Sequence, residues 1–518
     1  MFLPAATPLT TGAQSMLFAP ALANTTGLSD TEKSVMHTLA GKLLDPAYQH
    51  DMQLSELYYH GLNIVPSLGI SIPPELESLR SILGWCAAGV DARSERLSVQ
   101  GFRLPGSTEV DTDLQTIWQT NNLDAEAPLA HDAALIFGRC YGIAGPRPDG
   151  GTPLITIESP RNMICSVDPR TRDLSAAYQT YRDEDPASET YGRQLATLYT
   201  RGATIQLVAD PRKGWIVEDR NDHNAGIVPA VQFAPRASLT NRMGRSEMSA
   251  AWRNTQDRAC RTLGRMEVSG EFFATMKIFV LGATEETFRK PDGTKATAWE
   301  TFIGRISAIA ADANGVLPDV KAVPGQSPDG FTSTLDHERQ LMSGHTGLAP
   351  QYLGIFSDGN PASADAIRMS DFRLKTIADR LAITFGDTWE ALMRIAMTIS
   401  GKTPADSLEQ LETDWAYTGI PTPSADTQSM ATQVGAGIVA PTSDDVLAKL
   451  GWTPVQRQRL AIERDKWTAR AEADELLAGL NNPDLQASTG GGQAADGEQP
   501  AALAALDAQR STDGAAAG

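Results

Sequence analysis

The chain has 518 residues and a mass of 55.5 kDa, room for two to four domains of roughly 100–200 residues each. Hydrophobic residues make up 41% and charged residues 21%, ordinary proportions for a protein that buries a core. Against 44 Lys and Arg stand 63 Asp and Glu, a net −19, which excludes a protein that grips nucleic acid through a basic footprint but not one past which DNA slides. Residues 1–29, rich in Ala, Thr, Leu and Pro and without Lys or Arg, lack the basic start of a secretory signal and read as a flexible arm. Residues 30–44 read as a helix with Asp30 at its N-cap and Val35, Leu39, Leu43 and Leu44 on one stripe. Further helices are expected over 54–59, 82–90, 114–121 and 127–138, and an extended run over 96–102. Strands are expected over 141–143 and 155–157, with short alternating runs from 174 to 217, so about the first 240 residues read as a mixed α/β region.

Beyond Gly244 the pattern changes. Residues 246–276 contain no proline and open on Ser246, a helix-start signal. A strand is expected over 277–281, a turn at Lys290-Pro291-Asp292-Gly293 and another strand over 306–311. A short helix is expected over 334–342, stopped by Gly344 and Gly347, followed by a loop over 348–359. The strongest helix follows: Asn360 is a good N-cap, Pro361 suits the first helical position, and Leu374, Ile377, Leu381, Phe385, Trp389, Leu392, Ile395 and Ile399 recur at spacings of three and four. Such a helix, over about 364–400, would be roughly 55 Å long, a structural spine. From 481 to 518 the chain is mostly Ala, Gly, Gln, Asp and Ser, a composition that reads as disordered.

Chemistry is sparse. Cys86, Cys140, Cys165 and Cys260 have neither paired nor metal-like spacing, so neither a disulfide framework nor a zinc cluster is expected, and a reducing compartment is the default. No apolar run approaches the 18 residues of a membrane-spanning helix. A phosphate-cradling glycine loop followed by Lys and Ser/Thr is missing, the seven histidines show no ligand spacing, and Gly244-Arg245-Ser246 is not a nucleophile elbow. Asp111 with Asp113, and Asp183-Glu184-Asp185, read as solvated loop acids. No catalytic, cofactor or metal site is expected. Arg258, Arg261 and Arg265 share one face of the 246–276 helix, either a solvated or ion-paired face or a sparse basic stripe.

Several motifs in order resemble the portal proteins of tailed bacteriophages, particularly those of actinobacteriophages, over roughly residues 30 to 470. They are Tyr58-Tyr59-His60-Gly61; Val90-Asp91 with Arg96-Leu97-Ser98-Val99-Gln100-Gly101-Phe102; Ile117-Trp118 with Asn121-Asn122-Leu123-Asp124; Gly244-Arg245-Ser246-Glu247; and Gly347 to Gly354 followed by Asn360-Pro361-Ala362-Ser363-Ala364-Asp365-Ala366-Ile367. The resemblance implies an α+β portal fold in a ring of usually twelve subunits. It would divide into a flexible arm (1–30), wing (31–243), first stem helix (244–276), clip (277–331), second stem helix (332–347), tunnel loop (348–359), long spine helix (360–400), a mainly helical crown-side region (401–480) and a disordered tail (481–518).

The same resemblance implies a structural protein at the portal vertex of the virion, assembled in the host cytoplasm, through which double-stranded DNA is packaged and ejected. Its partners would be terminase, which supplies ATP hydrolysis, the major capsid protein and head-tail adaptor proteins, with no membrane. An acidic wall would keep DNA from sticking, and Arg258, Arg261, Arg265, Tyr352, Phe356 and Asp358 are the candidates for facing it in the tunnel. Two other readings stay open: another virion structural protein such as a capsid component, or a soluble enzyme with an unrecognised site.

Overall fold

The computed structural model describes residues 25–63, 65, 81–104, 111–148, 150–210, 212–273, 277–281, 319–323, 327–354, 364–400, 410–419, 423–440, 443, 446–447, 452 and 454–480. It mixes helices with largely antiparallel sheet and divides into two units, Met1–Pro441 and Thr442–Gly518. The strand expected over 306–311, the Asn360-Pro361 helix start and the 481–518 tail lie outside the described residues.

Order begins earlier than the composition of the arm implies. Strand β1 (Thr25–Thr26) lies alongside Trp215 and Ile216, and Leu28 is buried, so this end of the expected flexible arm is part of the fold. Helix α1 (Asp30–Leu43) is capped by Ser29, not Asp30: the Ser29 hydroxyl accepts from the Glu32 N–H at 3.3 Å while the Glu32 carboxylate accepts from the Ser29 N–H at 2.8 Å. Helix α2 (Pro46–Tyr59) starts eight residues before the expected 54, because Asp45 accepts from the Ala47 N–H at 3.0 Å and Pro46 takes a first-turn position. Helix α3 (Trp85–Ser94) leads through strand β2 (Val99–Arg103) to helices α4 (Thr112–Thr120) and α5 (Leu123–Phe137), which are separated by Asn122 at φ 51°.

Eight strands follow: β3 (Cys140–Gly145), β4 (Leu154–Glu158), β5 (Met163–Val167), β6 (Leu174–Arg182), β7 (Gln194–Thr200), β8 (Thr204–Asp210), β9 (Gly214–Asn221) and β10 (Ala230–Phe233). Together with β1 they form a six-stranded sheet ordered β1-β9-β8-β7-β6-β5 and a three-stranded sheet ordered β10-β3-β4. The larger sheet is buried on both faces. Ile164, Tyr178, Leu198 and Ile205 meet Met36, Leu39 and Leu43 of α1, whereas Met163, Cys165, Ala177 and Tyr199 meet Tyr141 and Ile143 of β3. Period-two alternation sends successive residues to opposite cores.

Helix α6 (Ala250–Phe273) is joined through strands β11 (Lys277–Leu281) and β12 (Asp319–Val323), an antiparallel pair, to helix α7 (Asp329–Thr346). Helix α7 runs through Gly344, one of its two expected stops, and ends at Gly347, whose φ of 74° suits a left-handed C-cap. Helix α8 (Ala364–Ile399), 36 residues and so about 54 Å long, buries Leu374, Leu381, Phe385, Trp389, Leu392 and Ile395 in the largest core with α3, α4 and α5. Strand β13 (Glu412–Trp415) then pairs with β2, placing Thr413 opposite Phe102 and tying residues expected in a carboxy-terminal region to the amino-terminal core. Helix α9 (Pro423–Gly435) completes the described elements of the first unit, and helix α10 (Pro454–Leu480) is the long element of the second.

Candidate functional site

The segment before α6 is docked, not wound. The Glu247 N–H donates to the Leu135 carbonyl at 2.9 Å and the Met248 N–H to the Ser246 hydroxyl at 3.1 Å, so the helix opens at Ala250 instead of 246. Gly244, at φ 79°, backs onto the end of α5; a Cβ there would stand 2.3 Å from the Gly138 carbonyl oxygen. Glu247, with a side chain only 1% exposed, lies 3.1 Å from the Arg93 Nε and accepts from the Arg236 Nη2 at 2.8 Å. Arg93 is fully buried, lies 4.7 Å over the Trp252 ring and donates to the Gly89 and Thr346 carbonyls. Burial pulls its guanidinium down to about 10, with Glu247 acting against that shift, so it stays charged at neutral pH. One ion cluster therefore joins α3, the approach to α6 and the end of α7.

A second cluster joins α3 to α8. Arg96 donates to both Asp371 oxygens at 2.7 and 2.8 Å, to the Thr418 carbonyl at 2.9 Å and to the Tyr352 hydroxyl at 3.1 Å. The fork geometry makes this a charge-assisted, bidentate pair. Tyr352, 40% exposed, stands in a 3-10 turn (Pro350–Leu353); Leu348 and Ala349 before it and Leu353 within it are buried, so this start of the expected loop is a packed turn.

The other motifs also fasten elements together. The Tyr58 hydroxyl donates to Asp257 of α6 at 2.8 Å, and the Tyr59 hydroxyl to Asp91 of α3 at 2.8 Å. Burial, and then the carboxylate each one meets, push both phenols up. Asn121 donates to the Ile117 and Pro153 carbonyls, each at 2.9 Å, while its side-chain oxygen accepts from the Ile155 N–H and from Arg147.

Helices α6 and α7 run antiparallel: the Trp252 indole donates to the His345 carbonyl at 3.2 Å, and Arg258 pairs with Glu338 at 2.8 Å. Arg258 is 48% exposed while Glu338 is buried, so the cation has one side tied and one side open. Arg261 and Arg265 follow on the same helix, half-buried, and among the described residues neither is ion-paired. Of the six tunnel candidates, the structure brings the three arginines onto one helix and places Tyr352 on the Arg96–Asp371 pair, apart from them in sequence and partners. Phe356 and Asp358 lie outside the described residues. The residues sequence reading missed are the fasteners Arg93, Glu338 and Asp371, and the pairing of Arg96 and Glu247 inside motifs already singled out. Among the described residues no three His, Cys, Asp or Glu side chains could together hold a metal ion, and no helix is long and apolar enough to cross a membrane. All four cysteines are buried and free.

The sequence pattern described as "Phage portal protein, SPP1 Gp6-like" matches residues 46–450. The chain belongs to this phage portal protein family. The portal protein of Mycobacterium phage L5 is 32% identical over 426 residues, covering 79% of this chain and 84% of that protein. The portal protein of Mycobacterium phage D29 is 30% identical over 471 residues, covering 85% and 95%. Solved structures give a looser likeness: a chain of the virion of a native gene transfer agent particle aligns over 77% of this chain and 93% of that one, with a TM-score of 0.43 and 16% identity. The portal family match spans all the elements from α2 to α9, and so both ion clusters and the α6–α7 pair.

Proposed function

We propose that the chain is the portal of a tailed phage: twelve copies form a ring at one capsid vertex, through which double-stranded DNA enters during packaging and leaves on ejection. The family match over residues 46–450 carries this reading. In it, residues 31–243 form the wing, 244–276 and 332–347 the two stem helices, 277–331 the clip, 348–359 the tunnel loop, 360–400 the spine helix and 401–480 the crown-side region. The antiparallel α6–α7 pair with the β11–β12 ladder beyond its end supports a stem that carries a clip. The role is structural, with ATP hydrolysis left to terminase, which docks on the ring before the head-tail adaptor proteins do; the major capsid protein surrounds it in the virion. With a net charge of −19, the subunit supports a lumen that repels phosphates, where Arg258, Arg261, Arg265 and the loop residues Tyr352, Phe356 and Asp358 would provide sparse contact.

Electron cryo-microscopy of phage particles carrying a tagged copy of this chain tests the reading. Label at a single vertex is expected. Label spread over the shell would instead make the chain a capsid component.

A further inference from the structure

A cavity of about 470 Å³ opens beside the six-stranded sheet, and three elements distant in sequence each bring a cation to its wall. Lys42 comes from the last turn of α1, Arg139 from the step between α5 and β3, and Arg242 from the loop that precedes Gly244. Among the described residues none of the three is ion-paired. The one carboxylate on the wall, Asp45, is already engaged in accepting the Ala47 N–H at 3.0 Å as the cap of α2. Arg139 lies with its guanidinium 5.5 Å from the centre of the Tyr48 ring, and its Nε is buried without a hydrogen-bond acceptor.

A buried N–H without an acceptor is costly, and a guanidinium is built to bind an oxyanion through several donors at once. In a chain with 63 acids against 44 bases, three cations at one cavity without an ion pair among the described residues stand out against the overall charge. The cavity falls within the size range of small-molecule sites, and the Tyr48 ring offers a flat apolar wall beside the charges. We propose that this cavity is an oxyanion site for a phosphate group, carried either as free phosphate or on a mononucleotide. Arg139 supplies the oriented donors at the floor, and Lys42 and Arg242 close over the anion from the exposed rim. None of the described tunnel candidates, Arg258, Arg261, Arg265 and Tyr352, lines the cavity.

The test is calorimetric titration of the full chain with inorganic phosphate and, separately, with adenosine monophosphate, in chloride of matched ionic strength. Three proteins are compared: the unaltered chain, Arg139→Gln, and the double variant Lys42→Gln/Arg242→Gln. The double variant changes only exposed side chains and so guards against a folding defect at Arg139. Saturable phosphate binding, weakened at least tenfold in both variants, is the expected result. Equal affinity for the two ligands would assign the site to the free ion, and tighter binding of the mononucleotide would assign it to the nucleotide. No heat beyond the chloride control, or the same affinity in the double variant, would overturn the proposal. Because the titration reads binding whatever the oligomeric state, its failure would leave the portal reading untouched.

Discussion

Arg96 and Asp371 meet through two parallel contacts of 2.7 and 2.8 Å, joining the end of α3 to the first half of α8 across 275 residues of sequence. The same guanidinium holds the Tyr352 hydroxyl, so the turn that opens the loop between α7 and α8 is fastened at its outer edge to the core helices. In the proposed portal, where this loop would stand beside moving DNA, such fastening would hold it by its base. Arg96 thereby sets where the loop starts, though it is not among the residues expected to face DNA.

This pair is well buried, at 12% and 5% side-chain exposure, so removing one partner strands a charge. Arg96→Met and Asp371→Asn should each lower stability by about 3 kcal/mol. The double variant Arg96→Met/Asp371→Asn should recover more than half of the summed loss. Urea unfolding of the four proteins measures this cycle, and simple additivity would contradict it.

Two glycines should respond in opposite directions. Gly244→Ala forces a Cβ to within 2.3 Å of the Gly138 carbonyl oxygen at a positive φ, so a loss of about 2 kcal/mol or more is expected. Gly344→Ala lies inside α7 with nothing within 4 Å of the new Cβ, so a gain of about 0.5–1 kcal/mol is expected. Thermal unfolding of both variants distinguishes a packed junction from an idle glycine.

His131 gives the stability an acid limit. It is buried and stacked on Phe385 at 5.1 Å, its Nε2 accepts from the Trp389 indole at 3.0 Å, and burial holds it neutral with a pKa lowered to about 3. The unfolded chain takes up this proton near its ordinary value of 6.5, so the contribution is complete above that pH and is lost as pH falls towards 3. Stability should therefore drop by about 1.4 kcal/mol per pH unit between roughly pH 6 and 4. In His131→Gln, which keeps an acceptor for Trp389, unfolding midpoints measured from pH 7 to 5 should show a shallower slope. An unchanged slope would place the acid sensitivity elsewhere.

The arginines of α6 should affect DNA more than folding. Arg258 is half exposed, so its pair with Glu338 is worth under about 1 kcal/mol after solvent screening. Arg258→Gln, Arg261→Gln and Arg265→Gln together should leave assembly mass unchanged and lower the DNA packaged per particle, read by nuclease-protected DNA. Full packaging by the triple variant would remove these side chains from the tunnel.

Much of this was legible along the chain. The three-and-four stripe of α8 states its own buried face, and the short runs between 174 and 217 are the strands β6 to β9, but that their sheet is buried on both faces was not legible from the alternation. Helix ends were read less well, because neighbouring cap residues compete: Ser29 outdoes Asp30 by having Glu32 three positions on, and Asp45-Pro46 was an unused start signal for α2. The fasteners were not legible. Arg258 finds Glu338 80 residues away and Tyr352 finds Arg96 256 residues away, and no local pattern encodes such partners. Glu247 was visible only as part of a motif; that it neutralises a fully buried Arg93 needed the fold.

In the proposed function this chain works as a ring around DNA. Native mass spectrometry with electron-microscope imaging of the purified protein, and of proheads assembled with its capsid protein, tests it most directly. Rings with a central hole and a mass near twelve times 55.5 kDa, alone or recovered from proheads, are the expected result. A compact monomer that also fails to enter proheads would contradict it.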